Sequence, residues 1–189
     1  MLRFLTAGES HGKAEVAILE GIPAGLPLSE CDIQNELDRR RLGAGRGGRG
    51  EIEKDEVQIL SGIRFGKTIG SPISLLVKNL DHENWQKTQA ELKVTNPRPG
   101  HADLAGALKY HFDDARNVLE RASARETVMR VAVGAICKKF LAEFKILIAS
   151  HTIQIGKIRL ESKIQDFSEV FNVDKTNPEV RCIDKKISN

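Results

Sequence analysis

The chain has 189 residues, 40% hydrophobic and 29% charged, with a net charge of +3. That length buries a real core in one domain or a large part of one, and so small a net charge excludes a polycation. No apolar run reaches the roughly 18 to 20 residues of a membrane helix, and "MLRFLTAGESHG" is too short in apolar length for a secretory signal. Cys31, Cys137 and Cys182 form neither a CxxC pair nor a disulfide framework, so reduced thiols in a cytoplasm are expected.

"MLRFLT" predicts a first strand that runs into the turn "GESHG", residues 8–12. "AEVAILEG" alternates and then becomes apolar, which predicts the paired second strand. "IPAGLPL" is a Pro/Gly loop. Ser29 opens "SECDIQNELDRRR", a helix with Ser29 as cap, Asp32 in its first turn, and Ile33 and Leu37 on one face. The glycines of "LGAGRGGRG" end that helix and make a loop. "DEVQILSGI" and "SPISLLVKN" predict two strands joined through "RFGKTIG". Residues 80–97 are polar and irregular and hold the single tryptophan, Trp85. "RPGHADLAGALKYH" opens a helix with Leu104 and Leu108 on one face. "SARETVMRVAVGAICKKFLAEF" is the clearest helix: Ser123 and Glu126 match a capping box, and Val128, Val131, Ala132, Ala135 and Ile136 form an apolar stripe. "KILIASHTIQIG" predicts a return to strand, and the tail offers no clear closing element. Strand pairs and helices alternate without a regular βαβ rhythm, which predicts an α+β fold.

Four segments carry chemistry. In "GESHG" an acid, a hydroxyl and an imidazole lie side by side. A nucleophilic serine, a metal ligand, a solvated turn, and a turn presenting a proton donor to a bound anion all stay open. Adjacent turn residues rarely aim their side chains at each other, and the five histidines include no HxH or HExxH. For the anion reading, the flanking glycines would expose N–H groups that hold phosphate oxygens, with Ser10 beside them and His11 as donor. Arg39, Arg40, Arg41, Arg46 and Arg49 crowd one stretch. Guanidinium groups pair bidentately with phosphate and carboxylate, and their mutual repulsion is relieved by an anion. The stretch lies between ordered elements, unlike the long repetitive RGG tails that bind RNA, so a small anion is expected rather than nucleic acid. "NPRPGHADL" sets Arg98 and His101 at a helix entry that suits a second anion. In "ERASARETVMR", capping accounts for Ser123 and Glu126 but for neither Arg121 nor Arg125.

"GESHGKAEVAILEGIPAGLPL", "DRRRLGAGRGGRGEIEKDEVQILSG", "RPGHADLAGALKY" and "RASARETVMRVAVGAICKKFL", in this order and spacing, closely resemble the chorismate synthase family. The resemblance runs over essentially the whole chain and over the N-terminal half of the family's usual length. It implies a sandwich of antiparallel sheets around a helical layer, of which residues 1–189 are the N-terminal portion of one domain. It implies the anti-1,4-elimination of phosphate from 5-enolpyruvylshikimate 3-phosphate to give chorismate, the last step of the shikimate pathway. That reaction has no net redox change yet requires reduced FMN, which a separate flavin reductase regenerates with NADPH. By motif match His11 resembles the acid that assists the departing phosphate, with Ser10 beside it, and His101 the residue near the flavin that stabilises its anionic reduced form. Arg40, Arg46, Arg49, Arg98 and Arg125 match substrate-anion positions, and Arg121, Ala122 and Ser123 match part of the FMN contact. The resemblance further implies a cytoplasmic homotetramer with no metal, membrane or nucleic-acid partner. The alternative is a non-catalytic fragment that keeps a small-anion site, and the 189-residue chain alone is expected not to turn over.

Overall fold

The computed structural model describes residues 1–43, 52–88, 92–161 and 166–184. In chain order its strands are β1 (Arg3–Gly8), β2 (Ala14–Glu20), β3 (Val57–Ser61), β4 (Ile63–Arg64), β5 (Lys67–Thr68), β6 (Ile73–Lys78), β7 (Gln154–Ile155) and β8 (Ile158–Arg159). Its helices are α1 (Glu30–Arg41), α2 (His82–Thr88), α3 (Asp103–Tyr110), α4 (Arg116–Arg121), α5 (Thr127–Ala142) and α6 (Phe167–Thr176). The main sheet is antiparallel throughout, in the order β1-β2-β6-β3. With two short hairpins and the helices it makes an α+β fold.

Strand alternation sends Ala17 and Leu19 of β2, Ile73, Leu75 and Val77 of β6, and Val57 of β3 to one face. α1 and α5 cover that face. Ile33 and Leu37 of α1 and Val128, Met129, Ala132, Val133, Ala135 and Ile136 of α5 join the same core. The small residues Ala132 and Ala135 let the two helices lie close. Ion pairs Lys139–Asp32 and Lys138–Glu36 then line the α1–α5 seam. At the head of α1 the Asp32 carboxylate accepts from the Ser29 N–H (2.9 Å) and hydroxyl (2.8 Å), so the predicted start of this helix is formed.

Other expectations change. Residues 82–88, expected to be irregular, form α2, because tertiary contacts of His82 and Trp85 hold what periodicity did not announce. The capping box at Ser123 and Glu126 does not close. Ser123 Oγ accepts from the Arg125 N–H within a 3-10 turn (Ala124–Glu126), and Glu126 turns away to Thr6 and Arg130. Leu104 and Leu108 of α3 are exposed; the buried residue is Asp103, and Gly106 meets Val118 of α4. Of "KILIASHTIQIG" only Gln154–Ile155 is strand, paired with Ile158–Arg159, because no neighbouring strand among the described residues extends the ladder. The tail carries α6, capped by Asp166, where no closing element was expected.

One buried residue sits against the grain of the core. Glu15 points to the helix-covered face of β2, is 1% exposed, and its Oε2 has no hydrogen-bond partner among the described residues. Burial pushes its pKa up from 4.5 to about 7, although Arg121 and Arg125 pull it back down; Glu126 and Glu9 add to the rise. Across the sheet Glu15 faces Gly8, whose φ of +124° suits glycine alone. A Cβ at Gly8 would lie 2.6 Å from both the Ala14 carbonyl oxygen and Glu15 Oε2.

Between pH 4.5 and about 7 the folded state holds a proton on Glu15 that the unfolded chain has released, so stability falls as pH rises through this window. Glu15→Gln should therefore match the parent near pH 4.5 and exceed it by about 3 kcal/mol at pH 8, read from urea unfolding midpoints across pH. A stability difference that does not vary with pH contradicts this assignment. Gly8→Ala should cost about 2 to 4 kcal/mol in the same assay, from backbone strain and overpacking together.

Candidate active site

The GESHG turn joins β1 to β2 and is docked rather than open. Its Gly12 N–H closes the turn on the Glu9 carbonyl at 2.9 Å. The Ser10 N–H donates to the Glu120 carbonyl (2.9 Å) and the His11 N–H to the Glu120 carboxylate (2.9 Å). Asn79, just past β6, donates its amide to the carbonyls of Glu9 (3.0 Å) and Gly12 (2.9 Å), and His82 Nδ1–H donates to the His11 carbonyl (2.8 Å). The N–H groups of residues 10 to 12 are thus all satisfied within the protein. This corrects the expectation that the turn offers these backbone donors to a phosphate: Glu120 of α4 has taken those of Ser10 and His11, and the Glu9 carbonyl that of Gly12. Ser10 is 1% exposed. The His11 ring is held on two sides. Nδ1 lies 2.9 Å from both Glu120 oxygens, and the Trp85 ring stacks on it with centroids 3.7 Å apart and planes within 15°. The Arg116 guanidinium covers Trp85 in turn and reaches Glu120 at 3.6 Å.

The arginines form the second half of the site. Arg125 leads into α5 and is 6% exposed. Its Nε donates to Asn79 Oδ1 (2.8 Å), its Nη1 pairs with Asp55, and its Nη2 reaches Glu53 (3.4 Å) and the Lys78 carbonyl (3.3 Å). Arg40, at the end of α1, donates to the other Asp55 oxygen (2.9 Å), to Thr127 Oγ1 and to the Ala124 carbonyl. Asp55 therefore joins two arginines that lie far apart in sequence, and Asn79 joins Arg125 to the GESHG turn. Of the arginine stretch, Arg40 meets a counter-charge in Asp55 and Arg39 in Glu36, both within the protein. Arg46 and Arg49 lie outside the described residues.

Arg98 and His101 converge on Asp103, which is fully buried. Its carboxylate accepts from the Arg98 backbone N–H (3.0 Å), from Arg98 Nε (2.8 Å) and Nη2 (3.0 Å), and from His101 Nδ1 (2.8 Å). The Arg98 side chain above all holds this carboxyl well below the usual range. Among the described residues no hydrogen bond or ion pair links this group to His11. Arg121 donates through Nη2 to the Thr6 carbonyl (2.9 Å) and hydroxyl (2.7 Å), and its Nη1 is buried with no partner among the described residues. Ala122 caps the end of α4 and Ser123 the 3-10 turn after it.

Sequence reasoning found the cations and the imidazole but missed Glu53, Asp55, Asn79, Trp85, Asp103 and Glu120. The acids at 53 and 55 follow the arginine stretch directly in "RGEIEKDE", and that juxtaposition of opposite charge was the available signal. Nothing local marks Asn79 or Glu120, whose roles come from partners 46 to 109 residues away.

Comparison with known proteins identifies the family. A family model described as chorismate synthase matches residues 2–189. A chorismate synthase of Aquifex aeolicus (strain VF5) is 59% identical over 182 residues, which cover 92% of this chain and 46% of that protein. One of Syntrophotalea carbinolica is 51% identical over 185 residues, covering 94% of this chain and 48% of that protein. A crystal structure of chorismate synthase superposes with a TM-score of 0.75 at 47% identity, covering 98% of this chain and 50% of that one. The chain spans about half the length of the curated relatives it matches. It belongs to the chorismate synthase family.

Proposed function

We propose that this chain contributes to the elimination of phosphate from 5-enolpyruvylshikimate 3-phosphate to give chorismate. The observation that carries the reading is a histidine held in a fixed orientation beside a network of arginines, on a chain whose relatives bear the name chorismate synthase. The substrate is an anion with a phosphate and two carboxylates, and the cations here suit it. Arg40 and Arg125 are positioned by Asp55, with Arg46 and Arg49 following in the same segment, while Arg98 stands on Asp103 with its side chain 45% exposed. In the reaction the C–O bond to phosphate breaks and its electron pair leaves with the oxygen, while at the other end of the allylic system a C–H bond breaks, its hydrogen leaves as a proton in the net reaction, and its electron pair completes the new diene. His11 donates a proton to that phosphate, and Ser10 supports the turn beneath it. A bound dianion favours the imidazolium that this role needs.

The residues also fit an anionic flavin. Arg121 carries a buried, unpartnered Nη1, and the Ser123 hydroxyl accepts only the Arg125 N–H at 3.3 Å among the hydrogen bonds of the described residues. Arg121, Ala122 and Ser123 would hold reduced FMN, with His101 near its ring. When bound, that group supplies transient electron density to the allylic system without net oxidation. His101 is held for such a role by Asp103, which fixes its Nδ1. A flavin reductase using NADPH, a homotetrameric assembly and a cytoplasmic setting complete the reading. Among the described residues no helix is long and apolar enough to cross a membrane.

The test is chorismate formation under anaerobic conditions with dithionite-reduced FMN. His11→Ala should lower turnover by about 10²-fold or more, with flavin affinity largely kept. Unchanged turnover removes His11 from the chemistry. Substrate binding by the 189-residue chain without any turnover favours the alternative, an anion site without catalysis.

A further inference from the structure

Glu120 is an unexpected centre of the turn. It is the fifth residue of the six-residue α4, its side chain is 13% exposed, and one carboxylate serves three groups on two residues. One oxygen accepts the His11 backbone N–H, both stand 2.9 Å from His11 Nδ1, and Arg116 one turn earlier faces the group at 3.6 Å. A carboxylate that accepts from a backbone N–H and faces a guanidinium is an acceptor. His11 Nδ1 must then carry the hydrogen, because the opposite tautomer would set its lone pair against the carboxylate's. Trp85 stacks on the ring and blocks rotation about the bond to Cβ.

We propose that Glu120 is a positioning residue for His11: its carboxylate holds the Nδ1–H form of the ring and makes Nε2 the nitrogen that exchanges a proton with a bound phosphate, while Trp85 fixes the ring plane. The proposal rests on the reading of His11 as proton donor. It also explains why donation from Nε2 is favourable. When the imidazolium gives up its Nε2 proton, the neutral ring that remains is the Nδ1–H tautomer, and its hydrogen bond to Glu120 survives the transfer unchanged. A donor without Glu120 would relax into either tautomer and either ring orientation after each turnover. A carboxylate behind a catalytic histidine acts in this way in serine proteases. Here carboxylate and imidazole are 109 residues apart in sequence and meet only because α4 docks on the turn.

The proposal is tested by nitrogen NMR of the chain with 15N-labelled histidine, with the His11 signals assigned from His11→Ala. At alkaline pH the parent should show Nδ1 protonated and Nε2 bare. Glu120→Ala should lose that preference, and Glu120→Gln, which keeps an acceptor oxygen and the shape, should largely restore it. The main-chain bond from Ser10 to the residue 120 carbonyl is untouched in both variants, and far-UV circular dichroism checks the fold. Where turnover is measured, Glu120→Ala should lower kcat about 10- to 100-fold with little change in KM. An unchanged His11 tautomer in Glu120→Ala, or a mixed tautomer in the parent, overturns the proposal. Turnover that is insensitive to His11→Ala defeats the proton-donor reading instead, and the NMR result still decides what Glu120 does to the ring.

Discussion

Arg125 is a buried cation, and the site is arranged around the cost of burying it. A guanidinium out of water loses several kcal/mol of hydration unless every donor finds a partner. Here Asp55, Glu53, Asn79 and the Lys78 carbonyl supply them. These partners come from two stretches of backbone, residues 53–55 and 78–79, so satisfying one side chain draws together the segment after the arginine stretch, the end of β6 and the start of α5. Asn79 extends the same network to the GESHG turn, and Asp55 extends it to Arg40.

The turn obeys a related constraint. The N–H groups of Ser10 and His11 are satisfied by Glu120 of α4, that of Gly12 by the Glu9 carbonyl, and the carbonyls of Glu9, His11 and Gly12 by Asn79 and His82. The cationic and imidazole side chains around it have their orientation set from behind: Asp55 behind Arg40 and Arg125, Asp103 behind Arg98 and His101, Glu120 behind His11. The same device appears three times. A buried or half-buried carboxylate holds a cationic or protonatable group at a defined angle, which is how a preorganised site avoids spending binding energy on ordering its own side chains.

Much of the architecture was legible because it rests on local rules. The alternation in "AEVAILEG" and "SPISLLVKN" announced β2 and β6, and Ile33 and Leu37 with the α5 stripe announced the helices that cover them. The misreadings occur where tertiary contacts outvote local preference. Glu126 leaves its capping partner for Thr6, 120 residues away; α2 exists because its side chains touch the turn; and Leu104 and Leu108 mark a face that the fold leaves exposed while Asp103 goes inside. The family motifs identified cations and histidines by type. They were silent about the carboxylates behind them, because an acid in a polar stretch looks like any solvated charge until its partner is brought to it.

The chain's single tryptophan is stacked on the ring of His11. The emission of an indole in face contact with an imidazole depends on that neighbour, because a charged imidazolium accepts an electron from the excited indole and quenches it, whereas a neutral ring does so far less. The molecule thus contains its own optical reporter. Tryptophan emission from this chain is a signal from one place, the contact between α2 and the GESHG turn.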